Sequence, residues 1–309
     1  MSEFQIQVDA ALKTVPGFQR MSTDGYHFER LNGLTNLVFR IDTDSDRFVL
    51  RIPGKGTEAY IDREVEIHNA RIAADAGVSA EVIYADTKSG VMFSRYIDDS
   101  VTMSPDEFSR RKGSAARAGA ALRKMHDFSE SFEFRFELFT MIDDYLAILD
   151  ERKAELPQGY AEVVQAAQPV RDALNRNPMP LTPCHCDPLC ENFLDTGERM
   201  WIVDWEYSGM NDPMWDLGDL SVEAGFTSEQ DSELMRAYCV GDPSASQMGR
   251  MMIYKAMCDL LWTLWGLIQH SDSNPAEDFW AYSMGRFERC KLLMNSAEFG
   301  GYIQAIDSD

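Results

Sequence analysis

Residues 182–204 read TPCHCDPLCENFLDTGERMWIVD, and four polar groups stand out in that stretch: His185, Asp187, Asn192 and Asp204. An aspartate is followed five positions later by an asparagine. A turn over Asp195 to Glu198 comes next, then an apolar strand, Met200 to Val203, that ends on Asp204. One carboxylate to accept a hydroxyl proton, and an amide oxygen with a second carboxylate to hold a divalent metal against nucleotide phosphates, are the parts that phosphoryl transfer requires. The same residues also admit a plainer description, with Asp187 capping a turn ahead of Pro188, Asn192 as a turn residue and Asp204 as a strand end.

The chain has 309 residues, room for two domains and a sizeable core. A net charge of −22 argues against nucleic acid and anionic membrane as partners, because both need clustered Lys and Arg, and it favours a cationic small molecule. The N-terminus, MSEFQIQVDAALK, lacks the basic and apolar regions of a signal peptide, and six cysteines without a CxxC pair suit reduced thiols, so a cytoplasmic location is expected. The longest apolar run, Met251 to Ile268, is interrupted by Lys255 and Asp259 and is expected as a buried helix rather than a membrane span. CHCDPLC offers Cys184, His185, Cys186 and Cys190 as zinc ligands. Alternate strand residues face opposite ways, however, and the two-residue gap of a zinc knuckle is missing.

Upstream, YHFERL, NLVFRI and RFVLRI predict three antiparallel strands within residues 26–52. Between the first two, Asn32-Gly33-Leu34-Thr35-Asn36 could lie over phosphates, or could simply be a hairpin turn. Arg51 in the third strand and Glu64, thirteen residues on in the helical stretch Arg63 to Asp75, suit the strand-cation and helix-glutamate pair of kinases, with Glu66 on another face as the weaker partner. Two more strands follow, within VSAEVIYAD and Val91 to Tyr96. The polar segment Asp98 to Thr102 then marks a boundary where Ser94 and Tyr96 could meet an adenine ring.

Beyond this point helix dominates. Ser104-Pro105-Asp106-Glu107 starts a pattern that runs to Met125, and 138–155 and 159–175 read as two further amphipathic helices. After Asp204, EYSGMNDPMWDLGDLSVEAGF carries Asp212, Asp216, Asp219 and Glu223 from a loop into a helix, where acidic groups suit the helix dipole alone. Trp262 and Trp265 lie three apart on the last long apolar helix, and FWAYSMGRFERC adds Phe279, Trp280, Tyr282 and Phe287. Such rings usually pack a core. They can also cage an alkylammonium group, each contributing about 0.5–2 kcal/mol.

Taken together, HCDPLCEN, IVDWEY, LNGLTN, FVLRIPG, WDLGDL, LLWTLWGLIQ and YSMGRF resemble the choline/ethanolamine kinase family within the aminoglycoside phosphotransferase group, over roughly residues 25–290. That resemblance implies a two-lobed, α+β, protein-kinase-like fold, with an antiparallel N-terminal lobe over 1–96 and a mainly helical lobe over 97–309. It implies Asp187 as the base, Asn192 and Asp204 as magnesium ligands, and ATP held by the loop from Asn32 to Asn36 and by Arg51 paired to Glu64. Trp262, Trp265 and Tyr282 would receive a quaternary ammonium, with Glu223 adding a carboxylate. Asp216 would brace the loop, and His185 would bond backbone rather than shuttle protons. Arginine at position 51 departs from the lysine of protein kinases but keeps a fork for phosphate. The expected reaction is transfer of the γ-phosphoryl group of MgATP to choline. Ethanolamine, thiamine or an aminoglycoside are alternative acceptors, and a catalytically silent binding domain is the rival outside enzymes.

Overall fold

The computed structural model describes residues 3–31, 33, 36–54 and 61–307. Helix α1 (Glu3–Leu12) precedes strands β1 (His27–Leu31), β2 (Leu37–Asp42) and β3 (Arg47–Ile52), and β4 (Val82–Ala85) and β5 (Met92–Arg95) complete an antiparallel sheet in the order β1-β2-β3-β5-β4. Register puts Phe39, Leu50 and Phe93 side by side, and strand alternation aims them, with Ile41 and Phe48, at Val8, Ala11 and Leu12 of α1. The opposite face carries Val38, Arg51 and Met92 in one row. Helix α2 (Arg63–Asp75) opens on Asp62, whose carboxylate accepts from the backbone N–H of Glu64 and Val65. Its Ala70, Ile72 and Ala73 join the larger core of the C-terminal part.

Strand β6 (Val101–Thr102) leaves the first sheet and pairs with β8 (Phe193–Asp195), which pairs with β9 (Met200–Ile202). Where one helix is expected from Ser104 to Met125 there are two, α3 (Pro105–Arg110) and α4 (Ser114–His126), parted at Gly113, whose φ of 73° ends α-helical geometry. Helix α5 (Leu138–Glu151) follows. The expected helix over 159–175 is also two, α6 (Tyr160–Ala166) and α7 (Gln168–Arg176), because Pro169 cannot donate to the preceding turn. Strands β7 (Thr182–Cys184) and β10 (Gly209–Asn211) pair, and then come α8 (Met214–Ala224), α9 (Ser228–Cys239), α10 (Ala245–Ser271), α11 (Phe279–Met294) and α12 (Phe299–Ile306).

By length and composition α10 could cross a membrane, but 83% of its most apolar window is buried inside the protein, as expected of a core helix. Its three buried charges have partners: Arg250 Nη1 meets Asp212 at 2.6 Å, Lys255 Nζ meets Asp231 at 2.8 Å, and Asp259 receives Arg289 at 2.6 Å and Arg286 at 3.3 Å. Helices α8 and α10 touch backbone to backbone at Gly218, where a Cβ would stand 2.7 Å from the Met251 carbonyl oxygen and 2.7 Å from Tyr254 Cβ. That approach sets the residues after Trp215 beside the tryptophans of α10.

Candidate active site

The loop after β7 is held from beneath by one buried carboxylate. Asp216 accepts from two successive backbone N–H groups, His185 at 2.7 Å and Cys186 at 2.8 Å, and its Oδ2 also meets His126 Nε2 at 3.0 Å. Cys186 adopts φ 66° so that both N–H groups point the same way, and Trp215 Nε1 donates to its carbonyl at 3.0 Å. His185 Nε2 lies 2.9 Å from the Val203 carbonyl, and burial holds its ring below the usual imidazole range, so it stays neutral as scaffold. The thiols of Cys184 and Cys186 turn to separate backbone carbonyls, and among the described residues no cluster of potential metal ligands unites Cys184, His185, Cys186 and Cys190.

Asn192 Nδ2 donates to the Asp187 carbonyl at 3.0 Å, and Val203 N donates to the Asn192 carbonyl at 2.9 Å, which ties Asp187, Asn192 and Asp204 into one unit. The Asn192 side-chain oxygen takes no part in that bond. Asp187 is half-buried and forms no side-chain hydrogen bond or ion pair among the described residues. Burial pushes its carboxyl well above the usual range, helped by the charges of Asp219, Asp204, Glu206 and Glu223. Such a group is a stronger proton acceptor than an ordinary aspartate once ionised.

On the nucleotide side, Arg51 pairs with Glu66, not with Glu64. Three residues into α2, Glu66 points to the sheet and is 1% exposed, whereas Glu64 is an exposed first-turn residue facing solvent. Side chains two apart on a helix diverge by about 200°, so only one of the pair can face the strand. Arg63 Nη1 also reaches Glu66 at 2.6 Å, and Arg51 Nη1 bonds Asp204 Oδ1 at 2.8 Å. Asp204 holds φ 68°, an unusual backbone state for a residue other than glycine.

Sequence reasoning gave no role to Glu206. It is 6% exposed in its side chain and accepts from Asn36 Nδ2 at 3.2 Å, which anchors the end of the β1–β2 loop. Carboxylate oxygens of Glu66, Asp204 and Glu206 lie within 4.8 Å of one another; both Glu66 oxygens are engaged by Arg51 and Arg63, which leaves Asp204 and Glu206 as hard-oxygen donors of the kind that suit magnesium. Gly33 lies exposed in the same loop, while Asn32 and Thr35 fall outside the described residues. Ser94 shares a cross-strand pair with Val49, and Tyr96 donates its backbone N–H to Arg47 O at 3.1 Å while its ring faces the guanidinium groups of Arg40 and Arg47.

The aromatic residues form a chain of ring contacts. Trp262 and Trp265 meet edge to face at 6.4 Å between centroids, Tyr282 continues from Trp265 at 5.8 Å, and Tyr207 closes on Trp262 at 5.8 Å. Tyr207 lies in the quoted IVDWEY but lacks the helical spacing that singles out the other three. Tyr145 of α5 stands near enough to Asp187 that burial, with the charges of Asp144 and Asp187, pushes its phenol up to about 12. Glu223 is not a free carboxylate: Arg286 grips it at 2.6 and 3.0 Å, Arg289 adds a contact at 3.3 Å, and Arg286 also sits 4.5 Å from the Tyr282 ring centroid. Asp219 is 1% exposed, accepts from Trp262 Nε1 at 3.2 Å, and carries a second buried oxygen without a hydrogen-bond partner among the described residues.

An aspartate on a braced loop with an asparagine and a second aspartate tied to it, and a strand arginine paired to a helix glutamate, is the arrangement of a kinase-type phosphotransferase. Comparison with known proteins agrees. The model of the phosphotransferase enzyme family matches residues 27–254. A crystal structure of a choline/ethanolamine kinase family protein from Mesorhizobium loti is 56% identical, with a TM-score of 0.91, covering 98% of this chain and 99% of that one. The choline kinase LicA from Streptococcus pneumoniae is 25% identical, with a TM-score of 0.76 and 95% and 99% covered. Protein LicA of Haemophilus influenzae is 28% identical over 274 residues, 86% of this chain and 79% of its own length. The chain belongs to the phosphotransferase enzyme family and, within it, to the choline/ethanolamine kinases. It is an ATP-dependent kinase that phosphorylates an alcohol on a small molecule.

Proposed function

We propose that the protein transfers the γ-phosphoryl group of MgATP to the hydroxyl of choline, giving phosphocholine and ADP. The feature that supports this reading is the run of four rings, Tyr207, Trp262, Trp265 and Tyr282, of which Tyr282 stands near enough to Asp187 that burial and, in part, that carboxylate's charge raise its phenol. Aromatic faces suit a methylated ammonium, which has no N–H to donate, whereas a primary ammonium needs acceptors. The names of the relatives, choline kinase and ethanolamine kinase, support an amino alcohol.

In this reading Asp187 accepts the hydroxyl proton. Asn192, Asp204 and Glu206 hold magnesium, which neutralises phosphate charge, and Arg51 contacts phosphate oxygens while Glu66 fixes its fork. The loop from Asn32 to Asn36 with Ser94 and Tyr96 borders the nucleotide, and the division between lobes falls near residue 96. Positioning and charge neutralisation carry the catalysis. The test is a coupled ADP-release assay with MgATP against choline, ethanolamine, thiamine and kanamycin. Choline should give the highest kcat/KM. Preference for another acceptor would overturn the choline assignment, and no release with any of them would overturn the acceptor class.

A further inference from the structure

Behind the aromatic rings stand three carboxylates and two guanidinium groups, and they do not cancel. Glu223 and Asp259 are ion-paired to Arg286 and Arg289, with N–O distances of 2.6 to 3.3 Å. Two anions and two cations leave no net charge. Asp219 stands apart from this network: it forms no ion pair within 4 Å among the described residues, and its one side-chain partner is the neutral Trp262 indole at 3.2 Å. The other oxygen is buried and unpartnered. An uncompensated carboxyl in this position is costly to the fold, so a function is the reasonable place to look for its compensation.

We infer that Asp219 is the specificity-determining charge of the acceptor site, supplying beside Trp262 a buried negative charge, apart from Asp187, that the substrate cation compensates. The inference rests on the acceptor being an amino alcohol, as proposed above. In a desolvated pocket a carboxylate bonded at the edge of a ring acts on a cation at that ring's face far more strongly than in water, without touching it. The bond from Trp262 Nε1 also fixes the indole and polarises its N–H toward Asp219, which makes the ring more electron-rich for a cation. Burial, with the charge of Glu223, pushes the Asp219 carboxyl well above the usual range against the pull of Arg286, so its ionised form gains most from a cation placed beside it. Glu223, the carboxylate that the sequence offers for the cation, is thereby reassigned to holding Arg286 beneath Tyr282.

The experiment compares choline with 3,3-dimethylbutan-1-ol, the uncharged alcohol of the same shape, in the wild-type enzyme and in Asp219→Asn, which keeps an acceptor for Trp262. Wild type should favour choline strongly, and Asp219→Asn should lower the choline-to-analogue ratio of kcat/KM by about tenfold or more, with the change mainly in KM for choline. A structural role alone would depress both substrates together and leave the ratio unchanged, and that result overturns the inference. Should Asp219→Asn not fold, the same ratio in Asp219→Ser, with its thermal melt, decides the matter. If wild-type enzyme phosphorylates no amino alcohol, the proposed function fails first. If it does so and the ratio is indifferent to Asp219, only the inference about this residue fails.

Discussion

At residue scale the site turns on which of two carboxylates on one helix faces inward. Glu66→Ala removes the partner of two buried guanidinium groups, Arg51 and Arg63, and should cost about 3–5 kcal/mol with a marked rise in the KM for ATP. Glu64→Ala, at an exposed position, should stay within about 0.5 kcal/mol. Chemical denaturation with ATP titration separates the two, and equal effects would refute the assignment. For Asp187 the sign of the pH effect follows from its surroundings. Burial and four neighbouring carboxylates disfavour its charged form, and the charged form accepts the proton, so kcat/KM should fall on acidification at a pH well above the ordinary aspartate range. A profile flat down to that range would show that a different group limits the rate.

At element scale, the approach of α8 to α10 at Gly218 carries the coupling between loop and acceptor pocket. Gly218→Ala should destabilise the fold by about 1–3 kcal/mol and weaken acceptor binding, because the added methyl meets backbone that cannot give way. Thermal melts and choline KM would show it, and an unchanged melt would refute the contact. The sequence made several of these elements legible. Alternation in NLVFRI and RFVLRI gave the strands, and the apolar run from Met251 gave a buried helix whose Lys255 and Asp259 proved to be paired. Pairing across the fold was not legible. Nothing local distinguishes Glu64 from Glu66 until the helix phase relative to β3 is known, and Glu206 and Tyr207 have no periodic signal because they lie on a loop. Breaks at Gly113 and Pro169 were written in the residues themselves, and the apolar pattern running across both hid them.

At the scale of the whole molecule, acid stability should depend on Asp195, which joins the β8–β9 hairpin to α4. Burial pushes its carboxyl up, but hydrogen bonds from Arg117 and Arg111 outweigh that and hold it at about 2, below the ordinary 3.8. A depressed carboxyl stabilises the fold above its unfolded value and loses that contribution as pH falls through the folded one. Stability should therefore drop between about pH 4 and about pH 2. Asp195→Asn should cost about 1–3 kcal/mol at neutral pH and flatten this part of the stability curve, measured by denaturation across pH. An unaltered acid dependence would contradict it.

The proposed reaction joins the nucleotide and the acceptor at Asp187, and product analysis tests that proposal most directly. MgATP and choline are incubated with wild-type protein and with Asp187→Ala, and products are followed by phosphorus NMR. Wild type should give equimolar ADP and phosphocholine, and Asp187→Ala should lose about 10²–10⁴ in kcat with ATP affinity retained. Near-normal turnover by Asp187→Ala, or ADP accompanied only by inorganic phosphate, would contradict it.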